Sequence, residues 1–329
     1  MENTLYPLKF KPVYKDYLWG GSRIPETFNR NVPPGIYAES WEIADRDDGM
    51  SIIANGSLAG KTLREILQIA PTQTLGSNVE GNTFPLLIKL IDAKQKLSVQ
   101  VHPNDRTAAE VGGEAKTEMW YLLGDNLTQV YCGLKEGTTR ESFLQAIADG
   151  TSGETICSIP VKKDSAIFVP GGCVHSIDAN CLILEIQQNS NTTYRIYDWN
   201  RVDDNELPRK LHISQAIKVI DWNNHNNPLI EPRLLTHTST FQCLEILECQ
   251  HFRLEKLIFS QPLEVPMSGK TFHALFISEG EITIKWSGGD ESAKAGESIL
   301  IPAALPSYTL FGNATVLRTT IPSPKNLRK

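Results

Sequence analysis

Lys163-Asp164-Ser165-Ala166-Ile167-Phe168-Val169-Pro170 and Ala295-Gly296-Glu297-Ser298-Ile299-Leu300-Ile301-Pro302 carry the same phrase: a turn, an apolar run and a closing proline. Short β-branched runs bounded by turn residues read as strands, and the recurrence of the phrase reads as a divergent internal duplication. Similar runs flank each copy. Pro85–Ile91, Leu97–His102, Glu118–Leu123, Leu127–Tyr131 and Cys181–Ile186 accompany the first; Cys243–Leu247, Phe252–Leu257, His273–Ile277 and Glu281–Trp286 accompany the second. Helical spacing is confined to residues 60–67, closed by Pro71, and to residues 140–148 and 214–220. The polar stretch Asn223–Pro228 reads as a linker. The sequence therefore predicts a mainly β chain of jelly-roll or barrel type in two parts, residues 1–222 and 223–329.

A chain of 329 residues exceeds one ordinary core, and 40% hydrophobic with 21% charged residues is a globular composition. The net charge of −6 excludes the basic footprint that nucleic acid requires, so an anionic small substrate would need local positive charge. Met1–Tyr6 lacks a basic then apolar leader, and no run approaches the roughly 20 apolar residues of a membrane span; a cytoplasmic location is expected. Six scattered cysteines without a CxxC pair are expected as reduced thiols.

Period-2 alternation puts Gln100 and His102 on one face of a strand, Glu118 opens another, and His175 follows the Pro170-Gly171-Gly172 turn. The second copy of the phrase continues Ala303-Ala304-Leu305-Pro306-Ser307, without a histidine. A metal would therefore belong to the first part. Two imidazoles and a carboxylate with room for water or substrate suit a catalytic zinc, although iron and manganese accept the same donors. Gln100, a neutral carboxamide, is a weak fourth ligand. Taken singly, a strand histidine is more often structural and a strand glutamate more often solvated. His212, His225, His237, His251 and His273 have no comparable setting and read as structural or surface residues.

Phe84–Lys89, Leu97-Ser98-Val99-Gln100-Val101-His102-Pro103-Asn104-Asp105, Lys116-Thr117-Glu118-Met119-Trp120-Tyr121, Val169–His175 and Tyr194–Arg201 together resemble the type I mannose-6-phosphate isomerases in their short bacterial form. The resemblance runs from Trp19-Gly20-Gly21 through Glu39-Ser40-Trp41-Glu42 to about Trp222, with weaker similarity beyond. It implies two cupin-type jelly-roll barrels with a few short helices, the metal in the first. It further implies one zinc ion per chain and interconversion of mannose 6-phosphate and fructose 6-phosphate through a cis-enediol. Carried over, the metal ligands are Gln100, His102, Glu118 and His175, and the essential arginine is Arg195. Lys116 and Lys89 match lysines lining the active site, and Ser98 and Trp19 match other lining positions. Asn191 stands where long-form members have an aspartate four residues before the arginine. The implied partner is a small sugar phosphate, with no nucleic acid, membrane or known protein partner. Another metal-dependent reaction on the same fold, a dioxygenase or a different sugar isomerase, is one rival. A sugar-binding regulatory protein is the other, which Arg195, Lys116 and Lys89 disfavour.

Overall fold

The computed structural model describes residues 5–202, 206–224 and 226–323, which are mainly strand with a few short helices. Two compact units result. One takes the described parts of Met1–Val13, Trp41–Leu87 and Glu231–Lys329; the other takes those of Tyr14–Ser40 and Ile88–Ile230. This differs from two consecutive segments divided near residue 222. Leu8–Lys11 pairs with Ser298–Ile301 on one edge and with Ile52–Ile53 on the other, so residues far apart in the chain complete one sheet. Buried backbone groups must find partners, and a four-residue strand finds them only by joining a larger sheet.

In the unit built on residues 88–230, five strands run in the order Ile156–Val161, Thr128–Leu134, His175–Ile177, Val99–Val101, Tyr194–Tyr197. A second sheet includes, in order, Ala166–Val169, Glu118–Leu122, Cys181–Gln188 and Leu86–Ala93, the last belonging to this unit from Ile88 onward. Val130, Cys132, Val161 and Ile177 of the first sheet share one buried cluster with Trp120, Leu122, Ile167 and Ile183 of the second. The core thus lies between two sheets whose apolar faces meet, as in a β sandwich. Helices Arg140–Ala148 and Ile213–Val219 agree with the helical spacing in the sequence.

The other unit is a ten-stranded sheet with its own core of Leu257, Ile277, Ile299, Ile301, Val316 and neighbours. The two runs expected over 273–277 and 281–286 form one strand, His273–Trp286, bent by a register shift between Ile277 and Glu279. Gly280 makes this possible: its φ is +81°, and a Cβ there would meet Asn313 O at 2.3 Å. Helix Leu63–Ile69 starts on a Thr62–Glu65 capping box and stops before Pro71. Pro71 then opens a further short helix, Pro71–Leu75, because its fixed φ suits a first helical position.

Strand register extends the duplicated phrase into a duplicated pairing scheme. Glu118 faces Val169, and His273 faces Ile301, the residue that matches Val169 in the phrase. His175 faces Gln100, and Ser307 faces Pro266. Trp120 faces Glu185, and Leu275 faces Arg318. The four positions Gln100, His102, Glu118 and His175 therefore read Pro266, Ser268, His273 and Ser307 in the second copy. A proline, two serines and one imidazole replace the donor set.

Gly171 fits the turn before His175 directly onto the chain after His102: a Cβ there would lie 2.7 Å from both Asn104 Cα and Pro103 O. Gly172 N–H also donates to His102 O at 2.7 Å. Backbone cannot retreat as a side-chain tip can, so Gly171→Ala should lower the unfolding free energy by about 1–3 kcal/mol. Gly124→Ala, whose Cβ would meet only Leu182 at 3.6 Å, should be neutral or slightly stabilising. Denaturant unfolding of the two variants beside the parent checks this, and equal stabilities would refute it.

Candidate active site

Neighbouring strands bring the sequence-predicted residues into one row. Arg195 faces Gln100, and Gln100 faces His175, across three adjacent strands. His102 follows immediately after the central one, and Glu118 enters from the second sheet. His102, Glu118 and His175 are each about 1% exposed, and their ligand atoms all lie within 4.8 Å of one another. Among the described residues, no other group of three or more His, Cys, Asp or Glu side chains meets that condition.

The protons on these rings follow from their partners. Each Nδ1 meets a backbone carbonyl, Thr192 O at 2.8 Å for His102 and Cys173 O at 2.9 Å for His175. A carbonyl only accepts, so each Nδ1 carries the proton and each Nε2 presents a lone pair. Burial drives the imidazoles neutral: His175 is lowered to about 4, and His102 falls well below the usual range, with Lys116 as the next cause. Each Nε2 lies 3.4 Å from a different oxygen of Glu118. Burial, then the charge of Glu185, raises Glu118 to about 7. Two imidazole lone pairs and a carboxyl that faces both could hold a cation, whose charge would favour the ionised form of Glu118, and the donor set fits a zinc ion. The site attracts positive charge from the protein itself: the Lys116 ammonium lies 3.1 Å from His102 Nε2 and 2.7 Å from Glu118 Oε2. Gln100 turns its amide nitrogen toward His175 Nε2 at 3.3 Å, while its oxygen accepts from Ser98 Oγ. Exchange of amide N and O would aim the oxygen at the site and keep a bond to Ser98.

Charges alternate outward from the triad. Lys116 and Lys89 lie 3.7 and 3.1 Å from Glu185 Oε1, and Lys89 Nζ lies 3.2 Å from Glu39. Trp120 Nε1–H donates to the other oxygen of Glu185 at 3.0 Å. Burial alone would raise Glu185, but Lys89 and Lys116 outweigh it and hold the carboxyl below its usual range. Burial alone would likewise lower Lys89, yet Glu185 and Glu39 raise it, so both members stay charged. A cavity of about 300 Å³ opens on this network.

Trp19, Lys89, Ser98, Gln100, Lys116, Glu118, Asn191 and Arg195 all line that cavity. His102 and His175 reach the cavity's edge through Glu118, the lining residue that both face at 3.4 Å. Lys89 lines it with its charge engaged by Glu39 and Glu185. Arg195 donates through Nη1 to Lys210 O at 2.8 Å, and its buried Nε has no hydrogen-bond partner among the described residues. His212 ties down the strand of Arg195 by two bonds to its backbone, a structural role; His225 lies outside the described residues. Sequence reasoning missed Glu185 and Arg209, which also line the cavity. Glu185 carried a usable signal, a carboxylate inside the apolar run Cys181–Ile186, since such a group stays buried only when paired. Arg209 carried none.

Known proteins share this organisation. The family model for the phosphomannose isomerase type I catalytic domain matches residues 7–126. The chain is 35% identical to mannose-6-phosphate isomerase ManA of Bacillus subtilis over 94% of its own length and 98% of the relative's. The crystal structure of mannose 6-phosphate isomerase from Bacillus subtilis superposes with a TM-score of 0.87 at 29% identity, covering 96% of this chain and 99% of that one. A zinc-bound mannose 6-phosphate isomerase structure, 16% identical, shares the fold with a TM-score of 0.78 over 96% of this chain and 99% of its own. Near-complete mutual coverage at 35% identity, with the site's residues assembled around one cavity, shows that the chain belongs to the type I mannose-6-phosphate isomerase family.

Proposed function

We propose that this protein binds one zinc ion at His102, Glu118 and His175, with Gln100 as a fourth donor, and interconverts mannose 6-phosphate and fructose 6-phosphate through a cis-enediol. The observation that carries the reading is the buried group of two imidazoles and a carboxyl at the edge of a cavity lined by Lys89, Lys116, Arg195 and Arg209. The zinc bound to a homologous structure supports the choice of metal. Free thiols at all six cysteines and a phosphorylated substrate support a cytoplasmic location. Among the described residues no helix is long and apolar enough to cross a membrane.

Aldose–ketose isomerisation moves a proton between adjacent carbons while negative charge grows on oxygen. When bound, the metal supplies a Lewis acid that polarises the substrate's oxygens. Arg195 faces the growing charge from the strand beside Gln100, and its Nε–H, without a partner among the described residues, gives it a donor to spare. Lys116 is placed to move a proton, because its amine reaches both the triad and Glu185. Lys89, held between two carboxylates, keeps Glu185 ionised and fixed. Trp19 and Leu97 help wall off the cavity from water.

His102→Ala and His175→Ala should each lose most of the bound zinc and the activity, whereas the second unit, with Pro266, Ser268, His273 and Ser307 in the matching positions, should bind none. Metal content by atomic emission and anomalous scattering check both points. Full zinc occupancy in both variants, or a strong metal peak among residues 240–320, would refute the assignment.

Arg195→Ala should fold and retain zinc, since Arg195 makes no ion pair within 4 Å among the described residues and is bonded mainly to a backbone carbonyl. Its turnover number should fall by roughly a hundredfold or more, as when one oxyanion donor is removed. Near-normal kcat and KM for mannose 6-phosphate in the zinc-loaded variant would remove Arg195 from the reaction.

A further inference from the structure

Beyond Arg195 the cavity wall continues to Arg209, whose setting is unlike that of the lysines. Asp198, 5% exposed, accepts from Arg209 through both carboxylate oxygens, Nε to Oδ2 at 2.7 Å and Nη2 to Oδ1. Asp198 Oδ1 also accepts from Arg201 Nη2, and Arg201 Nε donates to the backbone oxygen of Asp198 at 3.3 Å. A two-bond fork fixes the plane of a guanidinium as well as its position. Among the described residues, one carboxylate shared by two guanidinia, with Arg195 beside them, sets three positive charges against one negative. A phosphate monoester carries nearly −2 at neutral pH. Lys89 and Lys116 each meet two carboxylates, Glu39 and Glu185 for Lys89 and Glu118 and Glu185 for Lys116, whereas Asp198 is shared between two guanidinia. Arg201 holds Asp198 from the side and does not line the cavity, so only Arg209 presents the arrangement to a ligand.

We propose that Arg209 anchors the phosphate of the substrate and that Asp198 is a positioning residue which locks Arg209 in the orientation the phosphate needs. The inference rests on the proposed isomerase reading and adds a division of labour to it. Arg195, across from Gln100, acts at the reacting carbons; Arg209 holds the far end of the same molecule. Because phosphate is bound equally before and during the proton transfer, loss of its anchor weakens binding without slowing the chemistry.

The test is steady-state kinetics with mannose 6-phosphate, together with inhibition by inorganic phosphate, on zinc-loaded Arg209→Met, Arg209→Lys and Asp198→Asn. Arg209→Met should raise KM and the phosphate inhibition constant together by roughly ten- to a hundredfold, with kcat changed less than about threefold. Arg209→Lys should fall between, since an ammonium gives charge without the fork. Asp198→Asn should shift both constants in the same direction while keeping zinc content and kcat near the parent's, a split between KM and kcat that a merely structural role would not produce. Unchanged KM and phosphate inhibition in Arg209→Met overturn the proposal, as does a fall in kcat at constant KM. Should Arg209→Met not fold, Arg209→Lys and Asp198→Asn decide the matter by the same two constants. A parent enzyme unable to isomerise mannose 6-phosphate would instead overturn the functional reading itself.

Discussion

Two imidazole nitrogens, each with its lone pair turned inward, lie 3.4 Å from the two oxygens of one buried carboxyl group. Such a cluster is unfavourable unless positive charge answers it. The surrounding structure is arranged around that requirement. Backbone carbonyls of Thr192 and Cys173 hold the rings in one tautomer, Lys116 leans on two of the three acceptors, and Glu185 with Lys89 and Glu39 continues the alternation outward. Removing one member would strand another as an uncompensated buried charge, which is the expensive outcome for such networks. The donor cluster and the lysines are thus one electrostatic unit.

The duplicated strand scheme shows what happens to the same positions when no such cluster is present. Where the first copy buries Lys89 against Glu185, the second buries Glu255 against Arg318, with the acid and base exchanged between the corresponding neighbouring strands. The second pair is closed: two guanidinium nitrogens of Arg318 bond Glu255 at 2.9 and 2.6 Å, and burial holds the nearby His273 neutral, lowered to about 3, where it bonds Tyr308. In the first copy the lysines are point charges able to serve two carboxylates each, which leaves Glu185 in contact with the cavity. An ion pair that seals one core has become, in the other, part of a cavity wall.

Backbone geometry supports this difference. The second copy runs through His273–Trp286 and Ser307–Thr320 as long strands, whereas the first breaks the corresponding courses into Glu118–Leu122 with Thr128–Leu134, and His175–Ile177 with Cys181–Gln188. The turn before His175 is further pinned by Gly171 against Pro103 and Asn104. A metal site needs its donors placed within tenths of an ångström, and close backbone contact restrains them better than flexible side chains.

Strand periodicity, the repeated phrase with its terminal proline, and the histidine present in only one copy were all local features. They determined the mainly β class, the duplication, and the candidates Gln100, His102, Glu118 and His175, because alternation and turn chemistry act over a few residues. Arg195, Lys116, Lys89, Ser98, Trp19 and Asn191 came from family resemblance rather than from periodicity, and all of them line the cavity. What the sequence could not decide were matters of long-range pairing: that residues 8–11 complete a sheet with residues 298–301, that Glu185 is the carboxylate between the two lysines, and that Asp198 clamps Arg209. A buried charge is tolerable only beside its partner, and which partner stands beside it is a property of strand register across a hundred residues. Only the tertiary structure contains that.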